Sequence, residues 1–295
     1  MNLIVGATGM VGSEVCRLLA SAGEPVTAMV RGRSDPAKVD KLRALGAQVV
    51  VGDLRDAASL RAACRGMKSV VATASSMPFA YDPTDNTPGS TDEAGYLSLI
   101  EAAREAGVQR MVYTSFPAMP ASFPLQDAKR AVEERLRSSG LVYTILQPTY
   151  FAEIWLSPAV GFDGPGRKAV IYGAGESPIS WISFRDVAQF AAASLAHPVA
   201  RNATLVLGGP QGISPTSVVR IFEQLGGKPF EVSHVPVEAL KAQLAGAADP
   251  MQKSFAGLML GYAAGGAIDM TATLAAFAPV KLRTVEDHAR SVMAQ

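Results

Sequence analysis

Cysteine and histidine are scarce in this chain, with two of the first and three of the second among 295 residues. Cys16 and Cys64 lie far apart, each inside a helical pattern, which argues against a disulfide framework and suits buried thiols in a reducing compartment. His197, His234 and His288 stand in proline-adjacent or helical contexts without metal-ligand spacing to cysteines or carboxylates. No metal site is therefore expected, and the three histidines read as surface residues. An excess of one charge is also lacking: 27 Lys and Arg face 26 Asp and Glu, and no basic stripe interleaved with aromatics occurs. Nucleic acid is not an expected partner. No apolar stretch is long enough to span a bilayer, and the opening MNLIVGATG lacks the basic region of a signal peptide. The expectation is a cytoplasmic protein with no membrane partner, of open oligomeric state.

With nearly half of its residues apolar and its charges spread throughout, the chain can bury a full core. Its first half alternates short β-branched runs with longer helical patterns, as a parallel sheet covered by helices requires. Strands are expected at residues 3–5, 26–30, 48–51, 69–73, 111–114 and 142–146, with helices between them. Val11, Val15, Leu18, Leu19 and Ala22 share one helical face, and Tyr96, Leu99, Ile100 and Ala103 share another on a helix from about Thr91. Gly23, Gly46, Gly66, Gly107 and Gly140 each close a helical pattern. Beyond Pro148 the alternation stops. The fold class read here is α/β, a Rossmann-type doubly wound parallel sheet over residues 1–150, followed by a smaller substrate lobe over residues 151–295. Some segments of the lobe can return to the first sheet. A helix N-capped near Ser183 or Asp186 is expected there, and the Ala/Gly-rich residues 244–267 are a candidate mobile lid.

LIVGATGMVGSEV sets Gly6, Gly9 and Gly12 directly after an apolar strand and at the start of an amphipathic helix. In that context Gly6 permits the tight turn, Gly9 lets backbone approach a pyrophosphate and Gly12 allows close helix packing. Ala7, Thr8, Met10 and Val11 complete the loop. The alternative is a plain strand-to-helix turn. At the end of the second strand, where an acidic residue would hold the ribose of NAD, stands Arg31, with Arg33 and Lys38 close by. Arginine there accommodates a 2′-phosphate, so NADP(H) is the preferred cofactor and NAD(H) a possible one. A solvated basic loop is the competing reading. Asp53, followed by Leu54, ends the third strand and can accept from an adenine amino group, while Asp53 or Asp56 can instead cap the next helix.

GATGMVG, MVRGR, VVGDLRD, MVYTSF, DAKRAVEERLRSSG, LVYTILQPTYFAE, ISWISFRDVAQFAAASL and TVEDHARS together resemble the NmrA-like group of atypical short-chain dehydrogenases over nearly the whole chain. The resemblance implies a Rossmann domain binding NAD(P)H and a small C-terminal lobe over the nicotinamide. In the wider dehydrogenase family a Tyr-x-x-x-Lys pair moves the proton. Here the tyrosine position holds Leu125, a hydrocarbon that transfers no proton. Lys129 matches the lysine that isoflavone-reductase-like members retain near substrate or ribose. Its alternative is a surface pair with Glu133. Ser115 falls where this fold places a catalytic or ribose-contacting hydroxyl, or it opens a turn before Pro117. Thr73, Ala74 and Ser75 are expected along the ribose, and Pro148 at the carboxamide. Tyr150 is a second proton-donor candidate or, with Phe151, packs on the nicotinamide. Tyr81 and Tyr150 are substrate contacts; Trp155, like Trp181, either walls an apolar pocket or packs in the core.

The function implied is an NADPH-dependent reductase passing hydride to a small apolar carbonyl, quinone or enone-like substrate. A non-catalytic NAD(P)H-sensing regulator is the alternative, and an epimerase or dehydratase with tightly bound NAD a weaker third.

Overall fold

The computed structural model describes residues 1–77 and 86–294, and within them the β-branched runs become strands. Along the chain come β1 (Asn2–Val5), α1 (Met10–Ser21), β2 (Val26–Val30), α2 (Pro36–Ala44), β3 (Gln48–Val51), α3 (Ala57–Cys64) and β4 (Ser69–Ala72). A π-helical turn (Pro88–Gly95) then runs into α4 (Tyr96–Glu105), followed by β5 (Arg110–Thr114), α5 (Pro124–Arg137) and β6 (Val142–Pro148). Next are α6 (Ala152–Trp155), β7 (Phe162–Asp163), β8 (Lys168–Tyr172), β9 (Ile179–Ser180), α7 (Phe184–Ser194) and β10 (Ala203–Leu207). The chain closes with β11 (Gly212–Ile213), α8 (Pro215–Gly226), β12 (Glu231–Val235), α9 (Val237–Gly246), α10 (Pro250–Ala264), α11 (Thr271–Ala276) and α12 (Val285–Met293).

Seven strands make the main sheet in the order β10-β6-β5-β4-β1-β2-β3. β1 pairs in parallel with β2 and β4, setting Val5 opposite Met29 on one side and Ala72 on the other. All three strands are buried along their whole length, as strands covered by helices on both faces must be. Leu3, Ile4 and Val5 are fully buried, each contributing about 1.5–3 kcal/mol relative to exposure. The strand order reverses between β1 and β4, so the carboxyl ends of those strands meet at a topological switch point, where open sheets of this kind bind ligands.

The chain divides into two compact units. The first comprises Met1–Phe116, Asp127–Gln147 and Val187–Leu205; the second comprises Pro117–Gln126, Pro148–Asp186 and Val206–Gln295. The first unit's core joins Leu3, Val5, Leu60, Val70, Leu99, Ile100, Met111 and Val132. In the second, a three-stranded sheet, β12-β8-β7, and the β11-β9 pair accompany a core rich in aromatics, including Tyr150, Phe162, Trp181, Phe222 and Tyr262.

Two expectations change in detail. The helix expected from Thr91 begins at Pro88 as a π turn, because Thr87 and Ser90 cap each other there and the regular α-helix starts only at Tyr96. Residues 244–267, a candidate mobile lid from the sequence, hold the whole of α10, whose Gly257 and Gly261 let it pack closely. A Cβ on Gly257 would overlap the Phe123 ring, and one on Gly261 would come within 2.8 Å of the Tyr150 hydroxyl. The glycine enrichment there serves packing. Ser183, and not Asp186, takes the position before α7 and accepts from the Arg185 N–H at 3.2 Å. Among the described residues no helix is long and apolar enough to cross a membrane.

Candidate active site

Gly6, Gly9 and Gly12 form the turn from β1 into α1. Gly6 has φ +87, a conformation that suits glycine, and its backbone lies against the strand exit after β4. A Cβ there would sit 2.7 Å from the Ala74 nitrogen and 2.8 Å from Thr73 Oγ1. A Cβ on Gly12 would overlap the Gly6 carbonyl, so α1 can approach the loop only through glycine. The Gly9 N–H donates to the Gly6 oxygen at 2.9 Å, and Thr73 Oγ1 donates to the Val5 oxygen at 3.1 Å. Ala7 and Val11 are buried, while Thr8 is half-buried and Met10 exposed. Gly9 occupies the N-cap of α1 and no side chain caps the helix start. Its leading N–H groups and its positive dipole end are thus available to an anion.

Arg31, at the end of β2, is half-buried and makes no ion pair among the described residues; its N–H donates to Ser34 Oγ at 3.0 Å. Arg33 and Lys38 are exposed. Asp53 sits close by, but its carboxylate is taken up by Arg55, which donates from Nε to Oδ1 at 3.0 Å and from Nη2 to Oδ2 at 2.8 Å. These hydrogen bonds, with Arg31 adding to the attraction, hold the Asp53 carboxyl at about 2. Asp56 is the cap of α3, accepting from Ala58 and Ser59. Leu54 is buried beneath them. With Asp53 neutralised by Arg55, the charge left where β2 and β3 end is cationic, which suits a 2′-phosphate.

Lys129 is buried, and its ion-pair partner is Asp92 rather than Glu133. Its Nζ lies 3.0 Å from Asp92 Oδ1, with 5% of the lysine side chain and none of the aspartate exposed. Thr114 O is 3.5 Å away, and the ring centroids of Tyr113 and Tyr96 lie at 5.2 and 5.4 Å. The alternative, a surface pair of Lys129 with Glu133, does not form: Glu133 instead joins Arg130 and Arg137, each at 3.1 Å, and Gln147 at 2.9 Å. Lys129 and Arg137 stand equally far from Glu133 along α5, four residues before it and four after, so the exchange comes from Asp92, which draws Lys129 towards the π turn. Ser115 is buried, and its Oγ accepts from Arg130 Nη2 at 3.0 Å. Arg130 also donates to the Phe116 oxygen.

Within the second unit, Leu125 is buried and its N–H donates to Ser254 Oγ at 3.1 Å. Pro148 and Tyr150 are buried; Phe151 and Trp155 are half-buried. Tyr150 meets Trp155 edge-on at 4.7 Å, and Trp155 stacks on Tyr262 at 5.6 Å. Burial pushes the Tyr150 hydroxyl's pKa well up, so it stays protonated. Trp181 is core, 1% exposed. Tyr81 lies outside the described residues. His288 corrects the reading of three surface histidines: its Nε2 is buried, and burial lowers its pKa. Among the described residues no cluster of His, Cys, Asp and Glu could hold a metal.

Sequence reading missed Asp92, Ser76, Arg55 and Arg130. Asp92 carried no spacing signal, because it meets Lys129 across 37 residues and a π turn; Arg55 could have been found as the basic residue two after Asp53.

A glycine turn at the switch point, an uncapped helix start and an unpaired arginine after β2 define a dinucleotide-binding protein of the doubly wound type. Residues 2–289 match the NmrA-like family, and the chain belongs to it. It is 33% identical over 254 residues to an NAD(P)H azoreductase of Xenophilus azovorans, covering 85% of this chain and 82% of that one. A photosystem II assembly factor of Trieres chinensis is 28% identical, over 81% of this chain and 73% of its own. Among solved structures, an NADPH-dependent quinone oxidoreductase from Escherichia coli, complexed with NADPH, superposes with a TM-score of 0.77 at 25% identity over 99% of both chains.

Proposed function

We propose that this protein reduces a flat, apolar acceptor, a quinone, an enone or an azo compound, at the expense of NADPH. The chain is an NAD(P)H-dependent oxidoreductase, the class of the azoreductase and quinone oxidoreductase it is similar to. The observation that carries the reading is the Gly6–Gly12 turn with its uncapped helix start, set beside an unpaired Arg31. NADPH supplies the hydride when bound. The α1 N-terminus holds the pyrophosphate, Arg31 the 2′-phosphate, and Thr73, Ala74 and Ser75 the ribose side. NAD(H), lacking the 2′-phosphate, binds more weakly.

Leu125 supplies no proton, so other groups manage the charge that develops on the acceptor. An ammonium has three N–H donors, and among the described residues Lys129 donates to Thr114 O and faces Asp92 Oδ1 as an ion pair. A remaining N–H serves a ribose hydroxyl or the acceptor oxygen. Ser115 accepts from Arg130 and keeps its own proton to donate, a polarised hydroxyl beside a cation. In the second unit, the substrate lobe of this reading, half-buried Trp155, backed by the buried rings of Tyr150 and Tyr262, offers the kind of aromatic face that favours a planar acceptor.

A second reading, a dinucleotide-responsive regulator without turnover, draws on Leu125. Titration with NADPH and NADH, followed by a panel of quinones, enones and azo dyes monitored for NADPH oxidation, separates the two. NADPH binding with turnover is the expected result. Binding with no oxidation by any of the panel would favour the regulator, and absence of NADPH binding would remove both.

A further inference from the structure

We infer that Asp92 is a positioning residue for the reduction, acting through Lys129; this rests on the reading of Lys129 as the group that steadies the developing negative charge. Asp92 is fully buried on the π turn Pro88–Gly95. Such turns are rare and recur at functional sites, because they displace a side chain that a regular helix would place elsewhere. The turn is fixed at its start by the reciprocal Thr87 and Ser90 caps. Near its end Gly95 lies so close to Leu54 that a Cβ would come within 2.9 Å of the leucine Cβ.

The carboxylate is held from both oxygens. Oδ2 accepts from the Ser76 N–H at 2.9 Å and from the Ser76 hydroxyl, while Oδ1 faces Lys129 Nζ at 3.0 Å. Ser76 continues the strand exit that backs Gly6, and the Tyr96 hydroxyl ties α4 to the Ala74 oxygen of the same exit at 2.6 Å. The aim of Asp92 is thereby fixed to the dinucleotide loop. Among the described residues, the groups set against the ammonium favour positive charge: one carboxylate, one carbonyl and the faces of two tyrosine rings. Arg130 and Glu133, one helical step further along α5, neutralise each other and leave Asp92 as the counter-ion of Lys129.

Stability alone gives weak reason for this arrangement, since a buried ion pair is commonly no better than hydrocarbon of the same volume. Its chemical effect is specific. Asp92 holds the Lys129 side chain in one place, so that its ammonium is aimed at the developing negative charge.

The test compares Asp92→Asn and Asp92→Glu with the unaltered protein, following NADPH oxidation with menadione at neutral pH. In parallel, the order of the Lys129 side chain is read from the 13C relaxation of its methylene groups. Asp92→Asn is expected to lower kcat about tenfold or more and to loosen the Lys129 side chain, while its KM for menadione and its affinity for NADPH stay within about threefold of the original. Asp92→Glu keeps the charge and should recover a large part of the lost kcat, a rescue that a merely structural role would not give, and it preserves the test if the asparagine variant fails to fold. An unchanged kcat in Asp92→Asn, or equal losses in the two variants with Lys129 as ordered as before, would reduce Asp92 to a structural residue and overturn the inference. Failure of the unaltered protein to oxidise NADPH would instead remove the reductase reading, and the relaxation would then still report whether Asp92 holds Lys129.

Discussion

Arg55 grips Asp53 with two hydrogen bonds, at 3.0 and 2.8 Å, two residues along the same loop. This pairing lowers the Asp53 carboxyl from 3.8 to about 2. A group whose folded-state value lies below its unfolded one contributes stability above the unfolded value and loses it as pH falls through the folded one. The window is therefore pH 3.8 down to about 2. Arg55→Ala should lower Tm modestly near neutrality and flatten the loss of Tm across that window, the two proteins converging below about pH 2, as measured by thermal melts across acid pH. Equal pH slopes for the two proteins would show that the pair is spent on solvent.

Arg31→Ala removes the unpaired cation at the end of β2. A charge-assisted contact to phosphate contributes about 1.5–3 kcal/mol, so NADPH affinity should fall about 10–100-fold. NADH affinity should change about threefold or less. Fluorescence titration with both nucleotides checks it, and equal losses would move the 2′-phosphate elsewhere.

Gly12→Ala sets a methyl group on the Gly6 carbonyl, where backbone cannot yield, and should cost at least about 1–3 kcal/mol together with NADPH binding. Gly23→Ala is the control. Gly23 has φ +74 and open space around it, so only the left-handed conformation is penalised, by about 1–2 kcal/mol, with binding intact. Denaturant melts and nucleotide titration on both variants distinguish a local clash from a general loss.

Lys129→Ala strips the counter-ion from a fully buried carboxylate, which should cost about 3–5 kcal/mol and lower Tm by roughly 6–20 °C. The double variant Lys129→Met, Asp92→Leu should recover most of that stability without recovering turnover. Differential scanning calorimetry on Lys129→Met, Asp92→Leu and the double variant gives the coupling directly.

Cys16 and Cys64 are buried, and burial raises their thiols to about 12 and about 11. Both should resist a disulfide reagent at neutral pH in the folded protein, and two thiols should react at once in denaturant. Rapid labelling of the native protein would count against the core positions assigned to them.

Much of the first unit was legible because its signals are local. β-branched runs at 26–30 and 48–51 became strands with those same bounds, and Gly23, Gly46, Gly66, Gly107 and Gly140, each after a helical pattern, all have positive φ. Tyr96, Leu99, Ile100 and Ala103, read as one helical face, are all fully buried. What escaped depends on distant pairings. Lys129 was visible as a residue, but its partner is set by a π turn that no periodicity announces, and Glu133 looked like the natural partner only because it stands four residues away. In the second unit, glycines 257 and 261 suggested looseness when their small size permits tight contact with Phe123 and Tyr150.

Each of the two units is assembled from three stretches of chain, so the polypeptide passes between them five times. No single cut can therefore separate them as exchangeable modules. A fragment ending near residue 150 would lack β10, and β6, with its apolar run, would become an unprotected sheet edge prone to self-association. In descent, too, such a chain cannot trade its second unit as a cassette with a relative. New ligand preferences in this lineage would have to accumulate residue by residue in loops and helix faces, with the nucleotide half carried along intact.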